Sequence, residues 1–153
     1  MFIFDTDHLG FLQLRQSAEC RQIKQRMSKY RSQDFFVSIV SFHEQINGWT
    51  AFVARRKDTP GLVRGYEKLQ SILTDFSEAN VLAFNMKASE VYEDLRRQRI
   101  RIGAMDLRIA AIAIANQMTV LTRNTVDFER VPQLAFEDWT VLRDGGGGMR
   151  DEK

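Results

Sequence analysis

The sequence predicts an α/β domain, a three-layer sandwich with a mostly parallel central sheet of four to five strands. Three observations lead there. Short apolar runs at 2–4, 35–40, 81–84 and 119–121 are aromatic and β-branched, and too brief for helices. Longer stretches of helical periodicity separate them, and such alternation means parallel strands joined by crossover helices. The segment Leu107 to Ala115 is apolar on almost every side, so it must be a buried core helix.

Taken in order, Phe2-Ile3-Phe4 forms the first strand and stops at Asp5-Thr6-Asp7. Asp7 is placed to cap the following helix, which carries Leu9, Phe11, Leu12 and Leu14. A second, basic helix spans about 18–30, with Arg21, Lys24, Arg26 and Lys29. The strand at 35–40 leads into Ser41-Phe42-His43-Glu44, which has the spacing of a capping box. The helix it opens runs to about Arg56, with Ile46, Trp49, Phe52 and Val53 on one stripe. Asp58-Thr59-Pro60-Gly61 makes a turn, and a helix bearing Leu62, Tyr66, Leu69, Leu73 and Phe76 completes an antiparallel hairpin. After the strand at 81–84, a helix from Lys87 to about Arg99 turns Val91, Tyr92 and Leu95 inward. Its end is loaded with Arg96, Arg97, Arg99 and Arg101. Gly103 ends a loop before the buried helix, whose first turn carries Asp106. Strand 119–121 closes in Thr122-Arg123-Asn124, with Asp127 behind it, and residues 134–136 add an edge strand.

The chain has 153 residues, enough for one domain with a sizeable core. Residues 1–143 are read as that single domain, and the glycine-rich 144–153 as a flexible tail. With 22 basic and 20 acidic residues the net charge is +2, which neither requires nor excludes a nucleic-acid partner. Cys20 is the only cysteine, so no disulfide forms within the chain. It is expected to pack as a small hydrophobe. No apolar run approaches a membrane span, and the N-terminus lacks the basic region of a signal peptide. A cytoplasmic protein without a membrane partner is expected.

Asp5 ends the first strand, Glu44 sits one turn into the helix after the second, and Asp106 one turn into the helix before the fourth. In a parallel sheet these places lie along one edge, where ligands bind. Each acid has a local explanation as a cap, a turn residue or a favourable charge at a helix start. Gathered on one edge they repel and raise one another's pKa unless a cation compensates. Oxygen donors without histidine or cysteine suit Mg²⁺, with Mn²⁺ the alternative. The two histidines, His8 and His43, are read as structural.

These segments resemble PIN-domain ribonucleases, in particular the VapC-like toxins of type II toxin–antitoxin systems. The resemblance rests on Phe4-Asp5-Thr6-Asp7, on Ser38-x-x-Ser41-x-x-Glu44, and on Ile102-Gly103-Ala104-Met105-Asp106-Leu107. It continues in Leu121-Thr122-x-Asn124-x-x-Asp127-Phe128 and closes at Glu137-Asp138-Trp139. It implies a PIN-like fold and an endoribonuclease that hydrolyses RNA phosphodiester bonds. Asp5, Glu44 and Asp106 would then be metal-binding catalytic acids. Two departures stand out: Asp7 where the family usually has Asn, and Asn124 where many members have an acid. Asn124 is therefore expected to orient water or a second metal, and Asp127 to supply the remaining charge as a metal-binding, catalytic acid. Thr6, Ser38, Arg99 and Arg101 are candidate RNA contacts. The resemblance also implies a cognate antitoxin, seated in a groove near Leu9, Leu12 and the hairpin. It further implies a homodimer built with Trp49, Phe52, Tyr66 and Leu69.

Two other functions compete. A haloacid-dehalogenase-type phosphatase also starts with a strand ending in Asp-x-Asp, but it leaves Glu44 and Asp106 unexplained. A catalytically inactive PIN-like binding module would have little reason to keep three acids.

Overall fold

A computed structural model describes residues 1–142; the tail predicted at 144–153 lies outside them. The strands are β1 (Phe2–Phe4), β2 (Phe35–Ser38), β3 (Val81–Leu82), β4 (Thr119–Leu121) and β5 (Phe136–Glu137). The helices are α1 (Thr6–Leu14), α2 (Ala18–Met27), α3 (Ile39–Arg55), α4 (Thr59–Glu78), α5 (Met86–Arg97), α6 (Ala104–Ala115) and the short α7 (Thr125–Phe128). The strands form one sheet in the order β3-β2-β1-β4-β5. Every pairing is parallel, with Phe2 opposite Phe35 and Thr119. The predicted α/β architecture is therefore realised in its five-stranded, wholly parallel form.

Alternate side chains of the sheet feed two cores, as the two-residue strand period requires. Ile3 and Val120 pack on the α5–α6 side with Leu95, Leu107, Ile109 and Ile112. Phe4, Phe35, Val37 and Leu121 pack on the opposite side with Leu9, Ile23, Ile72 and Trp139. The all-apolar body of α6 is buried, as its sequence demands. Cys20 is buried beside Leu12, a small core residue as expected. The α3–α4 hairpin closes tightly at Gly65, where a Cβ would meet Val53 Cγ2 at 2.4 Å.

Three local expectations are corrected. The cap of α1 is Asp5, whose Oδ1 accepts the Thr6 backbone N–H, and not Asp7. The cap of α3 is Ser38, whose Oγ accepts the Ser41 N–H. The helix thus begins three residues before the predicted capping box, and Glu44 lies in its second turn rather than beside its cap. Third, residues 125–128 form α7 where a turn was expected.

Candidate active site

The chain order sends β1 to β2 on one side and crosses to β4 on the other. Beyond the carboxyl ends of β1 and β4 the connections diverge, which opens a crevice. Asp5 lies there at the end of β1, and Thr122 at the end of β4. The β1–β4 pairing binds the Asp5 N–H to the Leu121 carbonyl at 2.9 Å, which fixes the two ends together. Helix α6 runs back along the sheet, so its first turn brings Asp106 to the same edge. Helix α3 leaves β2 there and carries Glu44.

Hydroxyl and amide donors hold these acids. Thr122 Oγ1 donates to Asp5 Oδ2 at 2.8 Å and accepts the Asn124 N–H at 2.9 Å. Thr6 Oγ1 lies 2.8 Å from Glu44 Oε1 and 3.0 Å from Ser41 Oγ. Asn124 Nδ2 donates to Asp106 Oδ2 at 3.1 Å and to Asp127 Oδ2 at 2.9 Å. Asn124 thus presents N–H donors to both acids. Its amide ties Asp106 to Asp127.

Asp7 is held differently. Its Oδ1 accepts from His8 Nδ1 at 2.8 Å, and its Oδ2 accepts the Arg123 N–H at 2.9 Å. His8 is fully buried, and its Nε2 accepts the Trp139 N–H at 3.0 Å. A ring nitrogen that accepts carries no proton, so Nδ1 bears the ring hydrogen donated to Asp7. The structural role read for His8 is thus a specific one. Sequence reasoning missed this relay because Asp7 and His8, although adjacent, are fixed by Arg123 and Trp139, each more than a hundred residues away.

The electrostatics follow from these contacts. Burial, then the neighbouring Asp7 and Asp106 charges, push the Asp5 carboxyl up to about 7 against the donor from Thr122. Burial and then Glu44 also raise Asp106, opposed by the Asn124 amide. Burial alone would raise Asp7 too, but the bonds from His8 and the Arg123 N–H outweigh it and hold that carboxyl below its usual range. None of the ion pairs found among the described residues compensates Asp5, Glu44 or Asp106; Asp127 has Arg130 at 3.8 Å. Among the described residues, no three His, Cys, Asp or Glu side chains are arranged so that they could hold a metal ion as they stand. The donor chemistry nonetheless fits a hard divalent cation, since it consists of oxygens alone, with Asp5 uncompensated.

The candidate RNA contacts divide. Thr6 is half-buried within the acid cluster. Ser38 is fully buried and capped onto α3, so it positions that helix and has no surface for a substrate. Arg99 and Arg101 are exposed on the α5–α6 loop, and Arg130 reaches the Arg101 carbonyl at 2.9 Å. That bond sets the loop beside the Asp127 side of the crevice.

Next to the site, α1 and the α3–α4 hairpin enclose a groove of about 790 Å³ lined by Leu9, Leu12, Trp49, Lys68 and Ile72 among others. On the hairpin, Val63, Tyr66 and Leu73 are exposed on α4, whereas Trp49, Phe52 and Leu69 are half-buried.

No family profile matches the chain. Among curated proteins it is similar to Ribonuclease VapC2 of Rickettsia felis, 37% identical over 78 residues, which is 48% of this chain and 58% of that protein. It is also similar to Ribonuclease VapC of Rickettsia bellii, 43% identical over 58 residues, or 35% of this chain and 43% of that one. The aligned part thus spans about half the length of the curated relatives. Whole-chain similarity comes from solved structures. VapBC-1 of nontypeable Haemophilus influenzae aligns at TM-score 0.70 with 23% identity, covering 92% of this chain and 98% of that one. VapBC2 of Rickettsia felis, bound to a DNA fragment from its promoter, aligns at 0.67 with 25% identity, covering 90% and 98%. The PIN-like, VapC-type fold expected from the motifs is the fold of this chain.

Proposed function

We propose that this chain, VapC-like in sequence and in fold, is a metal-dependent endoribonuclease that acts as the toxin of a toxin–antitoxin pair. The observation that carries the reading is the crevice where β1 and β4 part. There Asp5, Glu44, Asp106 and Asp127 meet from four separate segments, with Asp5 raised to about 7 by burial and by the Asp7 and Asp106 charges. Asp5, Glu44 and Asp106 would hold Mg²⁺ or Mn²⁺, with Asp127 the further acid. A divalent ion bound there makes a hydroxide available near neutral pH and neutralises charge on a scissile phosphate.

The chain's own groups supply position. Thr122 fixes the second oxygen of Asp5, Thr6 fixes Glu44, and Asn124 keeps Asp106 and Asp127 side by side. Neither a serine nor a cysteine nucleophile is required. A phosphatase of the Asp-x-Asp type needs its second aspartate as a proton donor. Asp7 is held as an anion by two hydrogen bonds, which disfavours that alternative. An inactive module would not explain why Asp5 is kept buried at the expense of stability.

The groove between α1 and the hairpin is the place for an antitoxin segment, and the exposed Val63, Tyr66 and Leu73 face suits a homodimer. Among the described residues no helix is long and apolar enough to cross a membrane. A cytoplasmic site of action accords with the proposed RNA substrate.

The test is cleavage of single-stranded RNA by the purified chain with Mg²⁺ or Mn²⁺. Activity should vanish with chelator and return with added metal. It should fall at least about 1,000-fold in Asp106→Asn, because that acid sits among the proposed ligands. RNA cleavage that persists in chelator and in Asp106→Asn would rule the reading out.

A further inference from the structure

An acid cluster repels the phosphates it is meant to cut, so the rim of the site must supply cations that survive the approach of RNA. Arg123 stands at that rim. It is exposed, lies between Thr122 and Asn124, and its own N–H is bonded to Asp7. Three consecutive residues of this loop are thereby pinned to Asp5, Asp7, Asp106 and Asp127. From this fixed backbone the Arg123 guanidinium crosses to α1 and rests 5.3 Å from the centroid of the Phe11 ring. Among the described residues it makes no ion pair. This contrasts with Arg130, which reaches Asp127 and the Arg101 carbonyl.

We propose that Arg123, supported on Phe11, is a substrate-holding residue that grips an RNA phosphate next to the acids; the inference rests on the ribonuclease reading. A guanidinium stacked on a ring keeps its N–H edge free for a phosphate, and stacking limits the rotamer freedom lost on binding. With Arg130 beside Asp127 and Arg123 on the α1 side, the crevice has a cation at each flank. A strand laid between them crosses the acids. Neutralisation of phosphate charge by an arginine carries no sequence information, so Arg123 sets affinity rather than base preference.

The experiment measures binding of a short labelled single-stranded RNA in an Asp5→Asn background, which leaves the RNA intact. Adding Arg123→Gln should weaken binding about 10-fold and flatten the log–log salt dependence by roughly 0.7 to 1, the loss of one phosphate contact. Arg123→Lys should recover part of the affinity and the salt slope, because the charge returns without the stack. Phe11→Leu should weaken binding roughly 3-fold and leave the salt slope unchanged, because only the support is lost. In the active protein, Arg123→Gln should raise KM and leave kcat nearly unchanged. Unchanged affinity and slope in Arg123→Gln, with cleavage by the wild type intact, would overturn this inference alone. A wild type that does not cut RNA, with an Asp5→Asn parent that does not bind it, would overturn the ribonuclease reading and this one with it.

Discussion

Asp5 and Asp7 are two residues apart and face the same crevice, yet their surroundings drive them in opposite directions. Asp7 receives a ring N–H and a backbone N–H, and its charge is satisfied within the protein. Asp5 is more deeply buried and its donors are weaker than the repulsion around it, so its charge is left wanting. One carboxylate is a strut met by fixed donors, and the other carries a charge that the protein's own groups do not satisfy. Position in the sequence does not separate them; the identity of the groups brought to them does.

Exchanging each for its amide breaks or sharpens that contrast. The largest effect expected is on cleavage: Asp5→Asn should lose at least about 1,000-fold, whereas Asp7→Asn should stay within about 10-fold, since an amide oxygen still accepts the Arg123 N–H. Equal losses, measured as metal-dependent RNA cleavage, would merge the two roles into one.

A smaller contrast is expected in stability. Without metal, the native chain holds the Asp5 proton more tightly than the unfolded chain. The contribution of Asp5 is therefore intact below the ordinary 3.8 and lost as pH rises through about 7. Asp7 has the opposite sign: its contribution is present above the ordinary carboxylate value and lost as pH falls below it. Above pH 7, Asp5→Asn should thus melt a few degrees higher than wild type, and Asp7→Asn a few degrees lower. Adding Mg²⁺ should raise the wild-type Tm above pH 7 and less so at pH 6, where the ion must displace a proton. Thermal melts across pH, with and without the ion, check both signs; a Tm for Asp5→Asn at or below wild type above pH 7 would contradict the assignment.

The smallest effect belongs to Asp127. It shares the Asn124 amide with Asp106 and has Arg130 at 3.8 Å, so its charge is partly met. Asp127→Asn should weaken cleavage several-fold at low metal and recover partly at high metal, as for a group that assists rather than anchors. Titration of rate against Mg²⁺ decides it, since a wild-type curve at every concentration would reduce Asp127 to a structural residue of α7.

Much of this was legible in the chain. Runs such as Phe2-Ile3-Phe4 and the apolar α6 follow from periodicity, and the edge carrying Asp5, Glu44 and Asp106 follows from parallel topology. What failed were choices between equal local options. Ser38 and Ser41 are both spaced to cap a helix, and pairing of Ser38 with Leu82 in the sheet brings the helix start to the first of them. Asp5 and Asp7 can each cap α1. Asp7 is claimed instead by His8 and Arg123, and the second of these lies beyond any local window. Asn124 joins the acids through its amide, a bridge between Asp106 and Asp127 that no spacing in the sequence records.

The strand order carries one last consequence, for folding. β1 is central, and its β4 neighbour lies at the far end of the chain, with the Thr122–Asp5 bond joining residues 117 positions apart. Contacts of such long range close late, after local helices and hairpins have formed. A ribosome must therefore release nearly the whole domain before Asp5 meets its partner and the crevice closes. Fragments that end before β4 carry Asp5, Glu44 and even Asp106 but lack Thr122 and Asn124, so the crevice assembles only when the last strands dock.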